Sequence, residues 1–155
     1  MPNIGEKAPA FTLLDTTRTQ RSLSEFMGKK TVVAFFPGAF TGVCEQELCA
    51  FRDSMTELNT LDAQVVAISV DSPFSNGGFT SRNGFEFPLL SDYTRETINA
   101  YDVALHDFAG MTGYIAAKRS VFILDKDGVV TYKWVSDNPG VEPNYDEIKA
   151  ALAKS

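Results

Sequence analysis

The chain is poor in the residues that build metal centres and cross-links. Its 155 residues include two cysteines, Cys44 and Cys49, and one histidine, His106. A structural zinc site ordinarily uses four Cys or His ligands, so this set falls short unless carboxylates fill in, and no metal is expected. His106 alone reads as a loop or surface histidine. No apolar run is longer than five or six residues, far below the roughly 20 that a membrane-spanning helix needs. Residues 1–11 lack the basic start and apolar stretch of a secretory signal, so a cytoplasmic location is the expectation. There is no cluster of Lys and Arg, and the formal net charge is −6. An acidic surface repels phosphate backbones, so neither a nucleic acid nor a membrane is an expected partner. Repeats, low-complexity tracts and linker-like stretches are also missing, so residues 1–155 read as one domain.

What is present suits a globular protein. Hydrophobic residues make up 44% and charged residues 22%, enough apolar material for a core without staples. Residues 31–36 and 65–70 are short, nearly continuous apolar runs, as in strands buried on both faces. Pro37-Gly38 ends the first. Cys44, Leu48, Phe51, Met55 and Leu58 then recur at spacings of four and three, the stripe of a single amphipathic helix. Asp71-Ser72-Pro73 marks a helix start, although Gly77-Gly78 weakens the helix that follows. Residues 87–90 suggest a short strand and 94–101 a helix. Residues 102–117 show no period and read as a long loop. Residues 120–124 and 129–135 flank the turn 125–128 and predict a hairpin; residues 144–154 predict a last helix. Residues 11–14 and 18–23 suggest a small N-terminal hairpin. Strands alternating with helices imply a parallel core sheet. With the late hairpin added, the expectation is an α/β protein with a mixed central sheet flanked by helices, of thioredoxin-like type.

Two close cysteines in a reducing compartment are more often redox-active or metal-binding than structural. Cys44 falls just after a strand and a tight turn, at a helix start. Unsatisfied N–H groups and a positive partial charge there favour thiolate over thiol. Thr41 is a candidate N-cap, which puts Cys44 at the third helical position. Its hydroxyl could instead point at whatever approaches the sulfur. Cys49 lies off the apolar stripe and is expected to be the more exposed cysteine. Five residues along an intact helix separate Cα atoms by about 8–9 Å, whereas a disulfide needs about 4.4–6.8 Å. A Cys44–Cys49 bond therefore requires the helix to unwind locally, or it never forms. A buried free cysteine at 44 with an incidental one at 49 remains open on spacing alone.

The segment Phe36-Pro-Gly-Ala-Phe-Thr-Gly-Val-Cys-Glu-Gln-Glu47 resembles the peroxiredoxin signature, Pro-x-x-x-Thr-x-x-Cys-x-x-Glu. The resemblance extends to Ile4-Gly5-Glu6-Lys7-Ala8-Pro9-Ala10-Phe11-Thr12-Leu13, to Val70-Asp71-Ser72-Pro73 and to Lys118-Arg119-Ser120-Val121-Phe122-Ile123-Leu124-Asp125. It implies a thiol-dependent peroxidase in which Cys44 attacks the peroxide. Thr41 would hydrogen-bond peroxide and thiolate, Pro37 would shield the sulfur, Arg119 would bring a guanidinium to it, and Glu47 would buttress the network. The gap between Cys44 and Cys49 is similar to that of the bacterioferritin-comigratory, or peroxiredoxin Q, subgroup. It implies that Cys49 resolves the Cys44 sulfenic acid and that thioredoxin or a similar dithiol reduces the disulfide. No cofactor is implied.

Two other readings use the same residues: a peroxide sensor that binds a partner once oxidised, and a protein disulfide reductase. The chain could work as a monomer or a homodimer. The apolar side chains Phe108, Met111, Tyr114 and Ile115 could line an interface, cover the site, or fold back on the core.

Overall fold

The computed structural model describes residues 1–155. Strands β1 (Thr12–Leu14) and β2 (Gln20–Ser22) form the small hairpin expected at the N-terminus. Strands β3 (Lys30–Phe35) and β4 (Ala63–Ser69) follow, separated by helices α1 (Gly42–Asp53) and α2 (Met55–Thr60). Next come helix α3 (Pro73–Asn83), strand β5 (Leu89–Ser91) and helix α4 (Glu96–Ala100). Strands β6 (Ala104–His106), β7 (Ile115–Ala117), β8 (Ser120–Leu124) and β9 (Val130–Val135) precede the last helix, α5 (Tyr145–Lys154).

Seven strands form one sheet in the order β2-β1-β5-β4-β3-β8-β9. Strands β3, β4 and β5 run parallel, and β1, β2, β8 and β9 attach antiparallel. The sheet is thus mixed and helix-flanked, the thioredoxin-like α/β architecture expected. The apolar runs are continuous because both faces are covered. Alternate residues of β3 serve opposite cores: Val33 and Phe35 pack with Tyr101 and Phe122, while Val32, Ala34 and, just past the strand, Phe36 pack with Cys44, Leu48 and Phe51 of α1. No helix is long and apolar enough to cross a membrane.

Three expectations need correction. The stripe from Cys44 to Leu58 belongs to two helices, broken at Ser54, whose N–H is shared between the Ala50 and Phe51 carbonyls as the turn tightens. Residues 102–117 are not a plain loop: β6 and β7 pair antiparallel as a separate two-stranded sheet. Three-residue strands are too short to display a period. Gly77 and Gly78 do not interrupt α3, which starts on Pro73 with the Ser72 hydroxyl accepting from the Ser75 N–H at 3.2 Å. The two glycines differ in how closely their neighbours approach. A Cβ on Gly77 would meet Thr16 at 3.8 Å, and one on Gly78 would meet the Phe40 ring at 3.4 Å.

The apolar side chains of the 102–117 segment divide. Phe108, Tyr114 and Ile115 pack partly against the core, whereas Met111 is exposed. Phe108 also reaches the turn after β3, lying 3.8 Å from where a Cβ on Gly38 would stand.

Candidate active site

The site lies beyond the carboxyl end of β3, where open α/β sheets commonly place their chemistry. Phe36 makes one more sheet bond, donating to the Ile68 carbonyl at 3.0 Å. Pro37 has no N–H to continue the ladder and is itself buried. The turn that follows is tied down by Asp71, whose Oδ2 accepts from the Ala39 N–H at 2.8 Å. Phe40 takes a left-handed backbone, φ 64°, and Thr41 returns to an extended one at the N-cap of α1.

Thr41 is at the N-cap position, as expected, but its hydroxyl does not cap the helix. It donates to the Gly38 carbonyl at 2.8 Å, closing the turn. Cys44 is the third residue of α1 and is completely buried. Cys49, further along α1, is only partly buried, the order of exposure expected. Both are free thiols.

Register brings Arg119 to the sulfur. Strand β8 runs antiparallel to β3 with Ser120 opposite Phe35, so the residue before Ser120 lies just past the end of β3. There Arg119 is 1% exposed, not a solvated surface charge. Its Nη2 donates to Cys44 Sγ at 3.2 Å and its Nη1 to Glu47 Oε1 at 3.2 Å. Nε and Nη2 also donate to the Pro139 carbonyl, at 3.1 and 2.7 Å. Glu47 shares the buried side of α1 with Cys44. The planar guanidinium fork suits this divided task better than a lysine ammonium would.

The electrostatics differ from expectation in one respect. Burial pushes the Cys44 thiol up, and this outweighs the pull from the Arg119 charge, the Thr41 hydroxyl and the Gly38 backbone. The helix start had suggested the opposite net direction. Burial also pushes Glu47 up to about 8, against the downward pull of Arg119. Its second oxygen, Oε2, is buried without a hydrogen-bond partner, as suits a carboxyl that holds its proton readily. Burial likewise raises Cys49, with Arg52 pulling it down and Glu45 and Asp53 adding to the rise.

Cys44, Thr41, Glu47 and Arg119 are therefore brought together, Pro37 is buried in the turn that leads to them, and Cys49 lies further along α1. Two contributors escaped the sequence reading. The Pro139 carbonyl fixes Arg119 from a loop whose Asn138-Pro139-Gly140 run signals only a turn. Asp71 anchors the turn through a side chain that read only as part of a helix start. No group of three or more His, Cys, Asp or Glu side chains is arranged to hold a metal ion.

The chain is similar to known proteins along most of its length. A Mycobacterium tuberculosis protein, Rv2521, whose name assigns it to the peroxiredoxins, is 39% identical over 129 residues, spanning 81% of this chain and 80% of that one. The crystal structure of peroxidoxin BcpB from M. tuberculosis superposes with a TM-score of 0.86 at 29% identity, covering 99% of this chain and 98% of the other. A structure of the bacterioferritin comigratory protein of Xanthomonas campestris gives 0.81 at 27% identity, covering 93% and 90%. These neighbours support the subgroup that the cysteine spacing resembles. The AhpC/TSA family model matches residues 4–133: the chain belongs to this peroxiredoxin family and is a thiol-dependent peroxidase.

Proposed function

We propose that the chain reduces hydrogen peroxide and organic hydroperoxides at Cys44, resolves the product with Cys49, and is recycled by thioredoxin or a similar dithiol. The observation that carries this reading is the 3.2 Å contact between Arg119 Nη2 and the buried Cys44 Sγ. A fixed cation beside the sulfur stabilises the thiolate, the form that acts as nucleophile.

In the first step the Cys44 sulfur attacks a peroxide oxygen. The O–O bond breaks, the leaving oxygen takes a proton as water or alcohol, and sulfur is oxidised to sulfenic acid. Arg119 is placed to polarise the peroxide as charge moves onto the leaving oxygen. Thr41, half-buried beside the sulfur, is the candidate for binding the attacked peroxide. Pro37 and the Phe108 ring keep water from the turn. Cys49 then attacks the sulfenic sulfur, the S–O bond breaks, water leaves, and a Cys44–Cys49 disulfide forms. An external dithiol reduces it by exchange and becomes the disulfide itself. Glu47 supports Arg119 throughout. The whole chain, residues 1–155, acts as one catalytic domain.

The test is a steady-state assay with several peroxides and reductants on wild type, Cys44→Ser and Cys49→Ser. Cys44→Ser abolishes turnover and Cys49→Ser abolishes thioredoxin-supported cycling. Full peroxidase activity in Cys44→Ser would overturn the reading.

A further inference from the structure

Helix α1 carries a second stripe besides its apolar one. Glu45, Cys49 and Arg52 recur at spacings of four and three, which puts them on one face. All three meet the last turn of α3. Arg82 Nε lies 3.3 Å from Glu45 Oε1. The Cys49 thiol donates to Asn83 Oδ1 at 3.6 Å, and Arg52 Nη1 donates to the Asn83 carbonyl at 2.6 Å. Asn83 is itself held, because its Nδ2 donates to the Phe79 carbonyl at 3.1 Å and the helix stops at Gly84 in a left-handed conformation. Arg82 also lies over the Phe40 ring, 6.0 Å from its centroid. Two adjacent residues of α3 thus grip α1 at the level of its first turn, at Cys49, and beyond it.

The grip bears on the resolving step. An intact helix keeps the two cysteines too far apart to bond. Cys49 must leave Asn83, and the first turns of α1 must separate from Arg82, before sulfur meets sulfur. The Arg52 contact uses the Asn83 backbone and lies past Cys49, so it holds the remainder of α1 while the first turns open.

We propose that Arg82 and Asn83 form a latch that positions Cys49 and sets the rate at which it reaches the Cys44 sulfenic acid. This rests on the resolving role given to Cys49 above. Neither latch residue touches the reacting oxygen; both act through α1. The latch holds the helix closed around Cys44 while peroxide reacts, and its release controls how long the sulfenic acid persists. A longer-lived sulfenic acid is more exposed to a second peroxide and to irreversible sulfinic acid.

The test is a single-turnover experiment with one equivalent of hydrogen peroxide. Dimedone trapping follows the sulfenic acid, and intact mass follows the Cys44–Cys49 disulfide. Asn83→Ala removes the acceptor for Cys49 but keeps the carbonyl that holds Arg52. Arg82→Ala removes the Glu45 pair from a side chain that is 63% exposed, so it tests the latch even if Asn83→Ala fails to fold. Each variant is expected to sulfenylate at the wild-type rate and to form the disulfide about two- to fivefold faster, the factor for losing one partly exposed polar contact. Arg82→Lys restores the wild-type rate. Less sulfinic acid accumulates in both alanine variants under excess peroxide. Disulfide formation at the wild-type rate, or slower, in both alanine variants overturns the latch alone. Absence of the disulfide from oxidised wild type overturns the resolving role, and the latch with it.

Discussion

Arg119 divides one guanidinium between Cys44 and Glu47, with Nη2 on the sulfur and Nη1 on the carboxyl, each at 3.2 Å. All three groups are buried, so one fixed positive charge faces two acids. Arg119→Lys keeps a charge but loses the fork that reaches Cys44, Glu47 and the Pro139 carbonyl together. Loss of one such donor at a reacting centre commonly costs about a hundredfold or more. The expected result is a fall in kcat/KM of that order, with the alkylation pH profile of Cys44 moving to higher pH. Wild-type kinetics in Arg119→Lys would mean that a point charge suffices.

Glu47 gives the clearest pH prediction. Its carboxyl is raised from 4.5 to about 8 in the folded protein, chiefly by burial. Between those values the folded state holds a proton that the unfolded chain has released. The resulting stability is fully present below about pH 4.5 and is lost as pH rises through about 8. Glu47→Gln keeps an oxygen for Arg119 and cannot ionise. Denaturation across that window is expected to show wild type losing stability relative to the variant as pH rises. The Cys44 thiol, whose ordinary value of 9.0 is raised further by burial, adds no slope there. In the same variant the Arg119 charge is no longer shared with an anion, so the Cys44 alkylation profile moves to lower pH. Parallel stability curves would place the Glu47 titration outside the window.

Thr41 offers a separation of roles. Its hydroxyl donates to the Gly38 carbonyl at 2.8 Å and does not cap α1. Thr41→Ser preserves that hydroxyl and Thr41→Val removes it at nearly constant volume. Thr41→Ser is expected to retain activity, and Thr41→Val to lose about a hundredfold or more in kcat/KM, as for a single positioned donor. Equal activities would reduce Thr41 to a residue that shapes the turn. Because no N-cap bond is lost, the stability cost of Thr41→Val comes from the turn alone.

Much of this was readable from residue order because the cues were local. The runs around Val32, Val65 and Val121 declared buried strands, Pro73 declared a helix start, and Pro37 with Gly38 fixed where β3 ends and therefore where Cys44 sits. The contacts that complete the site are not local. Arg119 meets Cys44 across 75 residues, and only the register of β3 with β8 explains why. The net direction at Cys44 was misjudged because a helix start is visible in sequence, whereas complete burial of the sulfur is not. The hairpin of β6 and β7 left no trace because its three-residue strands cannot display alternation. Asn83 and Pro139 act through groups that any polar loop or helix end also carries.

The glycine pair in α3 makes the last prediction, since local propensity and packing disagree there. Glycine inside a helix costs roughly 0.5–1 kcal/mol relative to alanine. Neither Gly77 nor Gly78 has a positive φ, so alanine suits both backbones. At Gly77 the added Cβ meets Thr16 at 3.8 Å, an ordinary contact. Gly77→Ala is therefore expected to stabilise the fold by most of that helix term. At Gly78 the added Cβ meets Phe40 Cζ at 3.4 Å, and one side of that ring packs on Phe79 at 5.3 Å between centroids. The Cβ contact is tighter than the one at Gly77, and Phe40 lies on the turn that delivers Thr41. Gly78→Ala is thus expected to gain less stability than Gly77→Ala and to lower kcat/KM by a few-fold, measured by chemical denaturation and by peroxide turnover. If both substitutions stabilise equally and leave turnover unchanged, the close approach of Phe40 to α3 has no part in holding the active-site turn.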